Sequence, residues 1–328
     1  MRCVPIVTVA MLVTVTSACR HAAVSSDWPN GPVRLIVPFG AGTSSDLAAR
    51  LFAPLLATQW GQAVVVDNRP GGDGVIGAQA FVSARDRNTL LFAPTGLVTT
   101  NPLLHDELPY DPARDLMPIV SAGRPSIGIA AAASVGVATL TDLVAVVRPR
   151  PGRYIWAGTP GLPELVFRGF LKLEQLDMKH VAYRDIAAAV QDLRAGRVHV
   201  MIAAVPTLSP ALQRGAAQLL AVTSRNGTGH VSTVPTASDA GYPALTVDGL
   251  FGFWGWRGMS AELREQIAAD VRAAAADPNL TARLARVGFV VHAGTPSEFA
   301  DAVAAQREQV ARIARIVGMN PPERKRGQ

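Results

Sequence analysis

The chain has 328 residues, 49% of them hydrophobic and 17% charged, which is enough to build a real core. The length suits two α/β domains of about 100–200 residues each. The net charge is +6, but the arginines are scattered and no RNA-recognition signature or basic–aromatic array occurs. The charge therefore favours anionic small molecules or acidic partners and argues against nucleic acid.

The N-terminus is predicted to be a secretion signal. One arginine precedes the apolar stretch "VPIVTVAMLVTV", which is too short to span a bilayer, and "TSACRHAA" then offers small residues for cleavage. Cleavage after Ala18 leaves Cys19 first, as in a lipoprotein, whereas cleavage near Ala22 or Ala23 leaves a freely diffusing protein. Both outcomes stay open, and a cytosolic protein with an apolar start is the alternative to residues 1–23 being a signal segment.

Short apolar strands alternate with helical patterns along the rest of the chain. The predicted strands are Val33–Phe39, Ala63–Asp67, Thr89–Ala93, Met117–Ala122, Ile127–Ala132, Tyr154–Ala157, His180–Tyr183, Val198–Val205, Leu219–Thr223, Leu250–Trp256 and Val287–His292. The predicted helices are Ser44–Gln59, Val75–Ala84, Thr139–Val147, Pro163–Leu176, Ile186–Ala195, Ala261–Ala276 and Pro296–Val317. Alternation of this kind predicts parallel sheets with helices on both faces, and ligands on such sheets bind beyond the carboxyl ends of the strands.

The first strand ends in a run of small residues within "IVPFGAGTSSDLAARLFAPLL". Thr43 or Ser44 can cap the following helix, and Asp46 can close a capping box from Thr43. Gly40 and Gly42 let another molecule approach the free backbone N–H groups, where the helix dipole favours a negative group. A well-capped surface turn is the alternative interpretation.

A second strand-to-helix turn of the same kind lies in "YIWAGTPGLPELVF". Here a short strand is followed by Gly158, Thr159, Pro160 and Gly161, and then by a helix. Two opposed loops of this kind can grip a carboxylate from both sides of a cleft.

Six stretches together carry a family resemblance: "WPNGPVRLIVPFGAGTSSDLAARL", "GQAVVVDNRPGGDGVIGAQ", "LPYDPARDLMPIV", "KHVAYRDIAAAVQDLRAGRVHVMI", "LLAVTS" and "VPTASDAGYP". On these, from Trp28 to about Asn320, the sequence resembles the extracytoplasmic receptors of the tripartite tricarboxylate transporter family, the Bug family of periplasmic binding proteins. The resemblance implies an α/β, two-lobed, type II-like fold in the periplasm, with two crossovers and a ligand cleft between the lobes. Domain one would comprise 28–124 plus 246–328, and domain two 125–245.

The resemblance also implies a ligand site in which two loops hold a carboxylate, largely through backbone N–H groups and water. Carried over residue by residue, it points to Phe39, Ala41, Gly42, Thr43, Ser44 and Asp46 in the first lobe and to Gly158, Thr159, Pro160 and Gly161 in the second. Further candidates are Thr95, Gly96, Tyr183, Arg184 and Asp185.

Several positions depart from the family pattern. Asp185 replaces a glycine, and it either repels a second carboxylate or receives a cationic group, or is an ordinary helix N-cap. Trp156 replaces a serine, and it either narrows the pocket or stacks on a ligand ring, or packs in the core. Pro160 removes one N–H donor, and Glu164 stands where the family has a histidine.

Other signals are weaker. "GDGVIG" is a literal dinucleotide motif, but no acidic residue follows at the required distance, so no cofactor is expected. The histidines show no metal-ligand spacing, and His180 and His199 are interpreted as packing residues of adjacent strands. No nucleophile elbow surrounds Ser44, so serine hydrolase chemistry has little support.

The expected function is therefore a non-enzymatic receptor that needs no catalytic residue, cofactor or metal. It would be a monomer that binds a small organic, amino or aromatic acid and presents it to an integral-membrane transporter. A periplasmic module that signals to a membrane sensor is one alternative. An organic-acid lyase or isomerase, using Asp46, Asp185 or Glu164 as general acid or base, is another.

Overall fold

The computed structural model describes residues 28–183, 185–225, 234–286 and 288–319. The predicted signal segment, Cys19 and Arg184 lie outside them. Among the described helices, none combines the length and the apolar character needed to cross a bilayer.

The strands are β1 (Val33–Val37), β2 (Val64–Asn68), β3 (Thr89–Pro94), β4 (Leu116–Pro125), β5 (Ile127–Ala132), β6 (Ile155–Gly158), β7 (Lys179–His180), β8 (Val200–Ala204), β9 (Ala217–Val222), β10 (Phe251–Trp256) and β11 (Phe289–Val291). The helices are α1 (Ser44–Trp60), α2 (Val75–Ala84), α3 (Gly96–Thr99), α4 (Asn101–Leu104), α5 (Leu140–Val147), α6 (Leu162–Leu173), α7 (Ile186–Arg194), α8 (Val205–Leu212), α9 (Ala261–Ala275), α10 (Pro278–Arg286) and α11 (Pro296–Ile316).

Two sheets organise these elements. The first has the order β11-β4-β10-β3-β1-β2, and the second β7-β6-β8-β5-β9. The expectation of purely parallel sheets was wrong: β10 is antiparallel to β3 and β4, β11 to β4, and β5 to β8 and β9. Parallel neighbours require a crossover helix between them. Strand β5 instead follows β4 directly, and β10 comes back from the second sheet, so neither β5 nor β10 follows such a helix.

Several predicted strands were too long at their carboxyl ends, among them the first, which ends at Val37 rather than Phe39. The strand expected at Val198–Val205 ends at Ala204, because α8 begins at Val205 with a proline in its first turn, where a missing N–H costs nothing. The strand expected at His180–Tyr183 ends at His180.

Each sheet is covered by helices on both faces. On the first sheet, α1, α9 and α10 enclose a cluster in which Phe52 packs edge-on against Phe253 at 5.7 Å between ring centroids. On its other face, Phe299 of α11 packs against Trp254 at 4.9 Å. The later part of α11 contributes Val310 to the core beneath the second sheet, so this one helix is packed into both layers.

The chain passes from the first sheet to the second at Ser126 and returns between β9 and β10. The two passages run side by side, because Thr223 donates its N–H to the Ile127 carbonyl and Val247 donates to the Thr223 carbonyl, each at 2.9 Å. The pairing registers place these passages beside the carboxyl end of β3 in one sheet and of β8 in the other, and β1 is the next strand beyond β3. The carboxyl edges of both sheets therefore adjoin the same passages. The domain boundaries at 124/125 and 245/246 stay a prediction.

Candidate ligand-binding site

The first loop is a tight turn that caps α1. Thr43 is the N-cap, and its Oγ1 accepts a hydrogen bond from Asp46 N at 3.4 Å. The Asp46 carboxylate closes the turn on Gly42 N, at 2.8 Å from Oδ2, one residue earlier than the expected capping box. Gly42 has φ of +81°, a conformation that glycine adopts without strain.

Asp46 is almost completely buried, with 2% of its surface exposed. Its Oδ1 accepts from Arg50 Nε at 2.9 Å and from Asn68 Nδ2 at 3.0 Å. Burial acts to raise the pKa of Asp46, but the hydrogen bonds from Gly42, Arg50 and Asn68 outweigh it and hold the pKa below its ordinary value. Asp46 is therefore an ionised carboxylate turned into the protein, where it shapes the loop.

Asn68, at the end of β2, also supports this loop. Its Nδ2 donates to the Phe39 carbonyl at 2.9 Å, and its Oδ1 accepts from Arg50 Nη2 at 3.0 Å. Its position at the end of the strand beside β1 was the signal that it could reach the loop.

The loop leaves backbone donors unused. Within the described part of the chain, no acceptor engages the N–H groups of Ala41, Ser44 or Ser45. An ideal Cβ built on Gly40 or Gly42 would meet no atom within 4 Å, so there is space over the turn. Unpaired N–H groups at the positive end of a helix attract an anion.

Thr95 follows β3, the neighbour of β1, but its side chain is committed to the framework. It is 1% exposed, and its hydroxyl bonds to the Leu250 carbonyl at 3.2 Å and to Gln306 Oε1. Gln306 in turn donates from Nε2 to the Asp248 carbonyl at 2.9 Å, in the return passage. Sequence reasoning missed Gln306, because its partner Thr95 is 211 residues away in the chain.

The second loop connects β6 to α6. Thr159 N donates to the Ile202 carbonyl at 3.0 Å, which ties the loop to β8. Gly161 has φ of +92° with open space around its Cβ position. Pro160 has no N–H to offer, and within the described residues the N–H groups of Gly161, Leu162 and Glu164 have no acceptor. This loop therefore also presents unused donors at a helix start.

Trp156 lies beneath this loop in the core. It is 2% exposed, with its ring 4.9 Å from that of Phe167 and 4.4 Å from that of His180. The Arg168 guanidinium carbon lies 5.5 Å from the ring centroid. The structure therefore agrees with core packing, and the idea that Trp156 stacks on a ligand ring was wrong because its faces are covered.

Glu164 and His180 form a polar cluster behind the second loop. Glu164 Oε1 lies 3.0 Å from His180 Nε2, and Arg168 Nη2 lies 3.0 Å from His180 Nδ1. The interpretation of His180 as a simple packing residue was incomplete. His199 lies on the far side of β6 from β7, where its Nδ1 accepts from Ile155 N at 2.9 Å, so the two histidines are not on adjacent strands.

Asp185 is the exposed N-cap of α7, and its Oδ1 accepts from Ala187 N at 2.9 Å. Its effect on ligand choice stays a prediction.

Tyr183 donates its hydroxyl to Asp192 at 2.5 Å, and burial together with this carboxylate raises the pKa of Tyr183 to about 12. The Tyr183 hydroxyl is thus held by α7. Among the described residues, no three His, Cys, Asp or Glu side chains gather as a metal site would require.

Comparison with known proteins gives one consistent result. The model of the "Tripartite tricarboxylate transporter family receptor" matches residues 48–319. A UPF0065 protein of Bordetella bronchiseptica is 29% identical over 301 residues, covering 92% of this chain and 90% of the relative. Protein BugT of Bordetella pertussis is 28% identical, covering 93% and 95%. The solved structure "R. palustris Rpa4515 with adipate" is 30% identical with a TM-score of 0.83, covering 90% of this chain and 100% of that one.

Proposed function

This chain belongs to the tripartite tricarboxylate transporter receptor family, and we propose that it captures a small organic carboxylate between its lobes and delivers it to a membrane transporter of that type. The predicted two-lobed α/β fold of a periplasmic binding protein is confirmed. The chain is a solute-binding receptor of this family rather than an enzyme.

The first loop carries the proposal. It combines unused N–H groups at a helix start with open space over Gly40 and Gly42, which is the local chemistry that holds a carboxylate oxygen. A related protein at 30% identity was solved with adipate, a molecule with carboxylates at both ends. That precedent supports the ligand class.

Within this proposal the residues have different tasks. Backbone N–H groups of Ala41, Ser44 and Gly161 contact the ligand, with Thr43, Thr159 and Pro160 shaping the two turns. Asp46 and Thr95 hold the first loop in place through their buried hydrogen bonds. Domain two, 125–245, swings towards domain one about the side-by-side passages, so that ligand binding favours the closed form.

Two glycines give a matched test of the binding loop. Gly42 has φ of +81° and Gly136 has φ of +70°, and an ideal Cβ meets nothing within 4 Å at either. Gly42→Val and Gly136→Val therefore carry a similar backbone penalty, but only the first places a branched side chain over the proposed site.

The measurement is a thermal-shift screen of the mature protein against mono-, di- and tricarboxylates, amino acids and aromatic acids. An acid at about 100 times its Kd should stabilise the protein by about 2.7 kcal/mol and raise Tm by several degrees. We expect Gly136→Val to keep the shift and Gly42→Val to lose it. An acid that shifts both variants equally, or no shift with any acid, would contradict the proposed site.

Delivery to a transporter is tested separately. We propose that residues 1–23 direct export and are removed, with Cys19 either lipidated or lost. Deleting the gene should abolish uptake of the identified acid, and the full-length gene should restore it. Uptake that continues without the receptor, together with intact binding, would favour the alternative in which the protein informs a membrane sensor.

A further inference from the structure

A triangle of three side chains supports the first loop. Asp46 lies in the first turn of α1, Arg50 follows one turn later, and Asn68 reaches across from the end of β2. The Asn68 amide donates to Asp46 Oδ1 at 3.0 Å, and its oxygen accepts from Arg50 Nη2 at 3.0 Å. The amide thus links the carboxylate to the guanidinium and holds the helix start against the neighbouring parallel strand.

The second loop is supported by a triangle of similar construction, in which the acid and the arginine form an ion pair at 3.9 Å rather than a hydrogen bond. Glu164 lies in the first turn of α6, Arg168 follows one turn later, and His180 reaches across from the end of β7. His180 Nε2 is 3.0 Å from Glu164 Oε1, and His180 Nδ1 is 3.0 Å from Arg168 Nη2. Because arginine only donates and carboxylate only accepts, these partners assign the neutral ring with its proton on Nε2.

This second triangle is coupled to the loop backbone and to the core. An ideal Cβ on Gly158 would lie 2.9 Å from Glu164 Cγ, so the Glu164 stem packs directly on the loop. Arg168 also lies over the Trp156 ring, and the centroid of the His180 ring is 4.4 Å from that of the same Trp156 ring. A shift of Arg168 or Glu164 is therefore transmitted to the start of α6.

The two triangles differ in one chemical property. An asparagine amide keeps its donor and acceptor at every pH, whereas an imidazole changes from acceptor to donor at Nδ1 when it is protonated. A proton on His180 Nδ1 would point at the Arg168 guanidinium, replacing a hydrogen bond with repulsion between two cations. Within the described residues, the groups that face His180 are Glu164 and Arg168 from α6 and the uncharged ring of Trp156 from β6.

We propose that His180 is a positioning residue that makes the second ligand loop sensitive to pH, while the first loop, built on Asn68, is insensitive. The inference rests on the proposed function only in calling these loops ligand loops. At neutral pH all three corners of the second triangle are joined. On acidification the Arg168 corner separates, the start of α6 loosens, and the second lobe holds the ligand less tightly.

The test exchanges the third corner of each triangle. His180→Asn places in the second triangle the residue that the first one uses, and Asn68→His does the reverse. His105→Asn is the control, because His105 also pairs with a carboxylate, Asp73, at 3.1 Å and is similarly exposed. Backbone hydrogen exchange of peptides covering 158–166 and 40–48 is measured at about pH 8 and about pH 5.5, on either side of the ordinary histidine range, and corrected for intrinsic rates.

In the wild type, we expect exchange in 158–166 to quicken by roughly fivefold at the lower pH, the order of effect of losing one hydrogen bond. Exchange in 40–48 should stay constant. His180→Asn should remove the pH effect, His105→Asn should leave it, and Asn68→His should create it in 40–48. Equal pH responses of wild type and His180→Asn in 158–166 would overturn the proposal.

Adipate titration of the same samples separates this inference from the proposed function. Binding that weakens at the lower pH in wild type but not in His180→Asn supports both. Failure of every acid in the wider screen, with the exchange pattern intact, refutes the proposed function and leaves the His180 effect standing. Binding of an acid with no pH response at 158–166 refutes only the role of His180.

Discussion

Replacing Asp46 by Asn tests whether a buried carboxylate organises the first loop. The side chains have nearly the same shape, but Asn has one acceptor where Asp46 receives Gly42 N at 2.8 Å on one oxygen and Arg50 and Asn68 on the other. In the variant, either Gly42 N or Arg50 faces an NH₂ group. Hydrogen bonds to a charged group contribute about 1.5–3 kcal/mol each, so losing one and weakening the others should cost about 2–4 kcal/mol.

Urea and thermal unfolding at neutral pH measure this cost, and we expect Tm to fall by about 3–7 °C. Asp142→Asn is the control, because Asp142 forms a similar cap on α5 at an exposed position and should have a smaller effect. Because the folded-state pKa of Asp46 is below its unfolded value, its stabilisation is present above about pH 4 and is lost as pH falls through the folded pKa. The difference between wild type and variant should therefore shrink in acid. A loss below about 1 kcal/mol at neutral pH would refute the reasoning.

Three further variants probe the framework around the site. Trp156→Ala removes a core ring that is 2% exposed and should lower unfolding free energy by about 3–5 kcal/mol in urea, with Trp156→Phe losing less; equal losses would contradict core packing. Burial, aided by a nearby arginine, lowers the pKa of His199, so the unfolded chain takes up a proton first and stability should fall as pH drops below about 6.5. His199→Gln should flatten that slope in urea midpoints at two pH values, and an unchanged slope would rule out this cause. Gln306→Leu removes one of the two partners of the Thr95 hydroxyl, which keeps the Leu250 carbonyl, and takes the side-chain donor away from the Asp248 carbonyl; it should cost about 1–3 kcal/mol, whereas a neutral result would show that the buried link is dispensable.

Local pattern predicted the secondary structure closely where hydrophobic runs are bounded by turn residues. The strand at Ile127–Ala132 and the helix at Val75–Ala84 agree with the structure to the residue. The direction of the strands was harder to predict from the sequence, because whether β10 runs parallel or antiparallel to its neighbours depends on its return from the other sheet. Helix α8 was not predicted; it has Pro206 in its first turn, where a missing N–H is tolerated, and Pro210 inside it.

At the site, sequence and resemblance together pointed to both loops, and the expected Thr43 cap is present. They did not indicate what holds the loops. Asn68 and His180 reach them from neighbouring strands, and their role depends on which parallel strand lies beside which. Trp156 had two open interpretations, and only its packed neighbours decided between a pocket wall and a core ring.

The sequence by itself determined the alternation of strands and helices, the two small-residue turns and the helix caps, because these depend on backbone conformation and on hydrogen bonds between residues a few positions apart. Only the tertiary structure decided which carboxylates face inward, which strand ends support each loop and how α11 joins the two layers. Those contacts link residues from 12 to 211 positions apart, such as Arg168 with His180 and Thr95 with Gln306. Their pairing depends on sheet order and register, which short-range pattern does not contain.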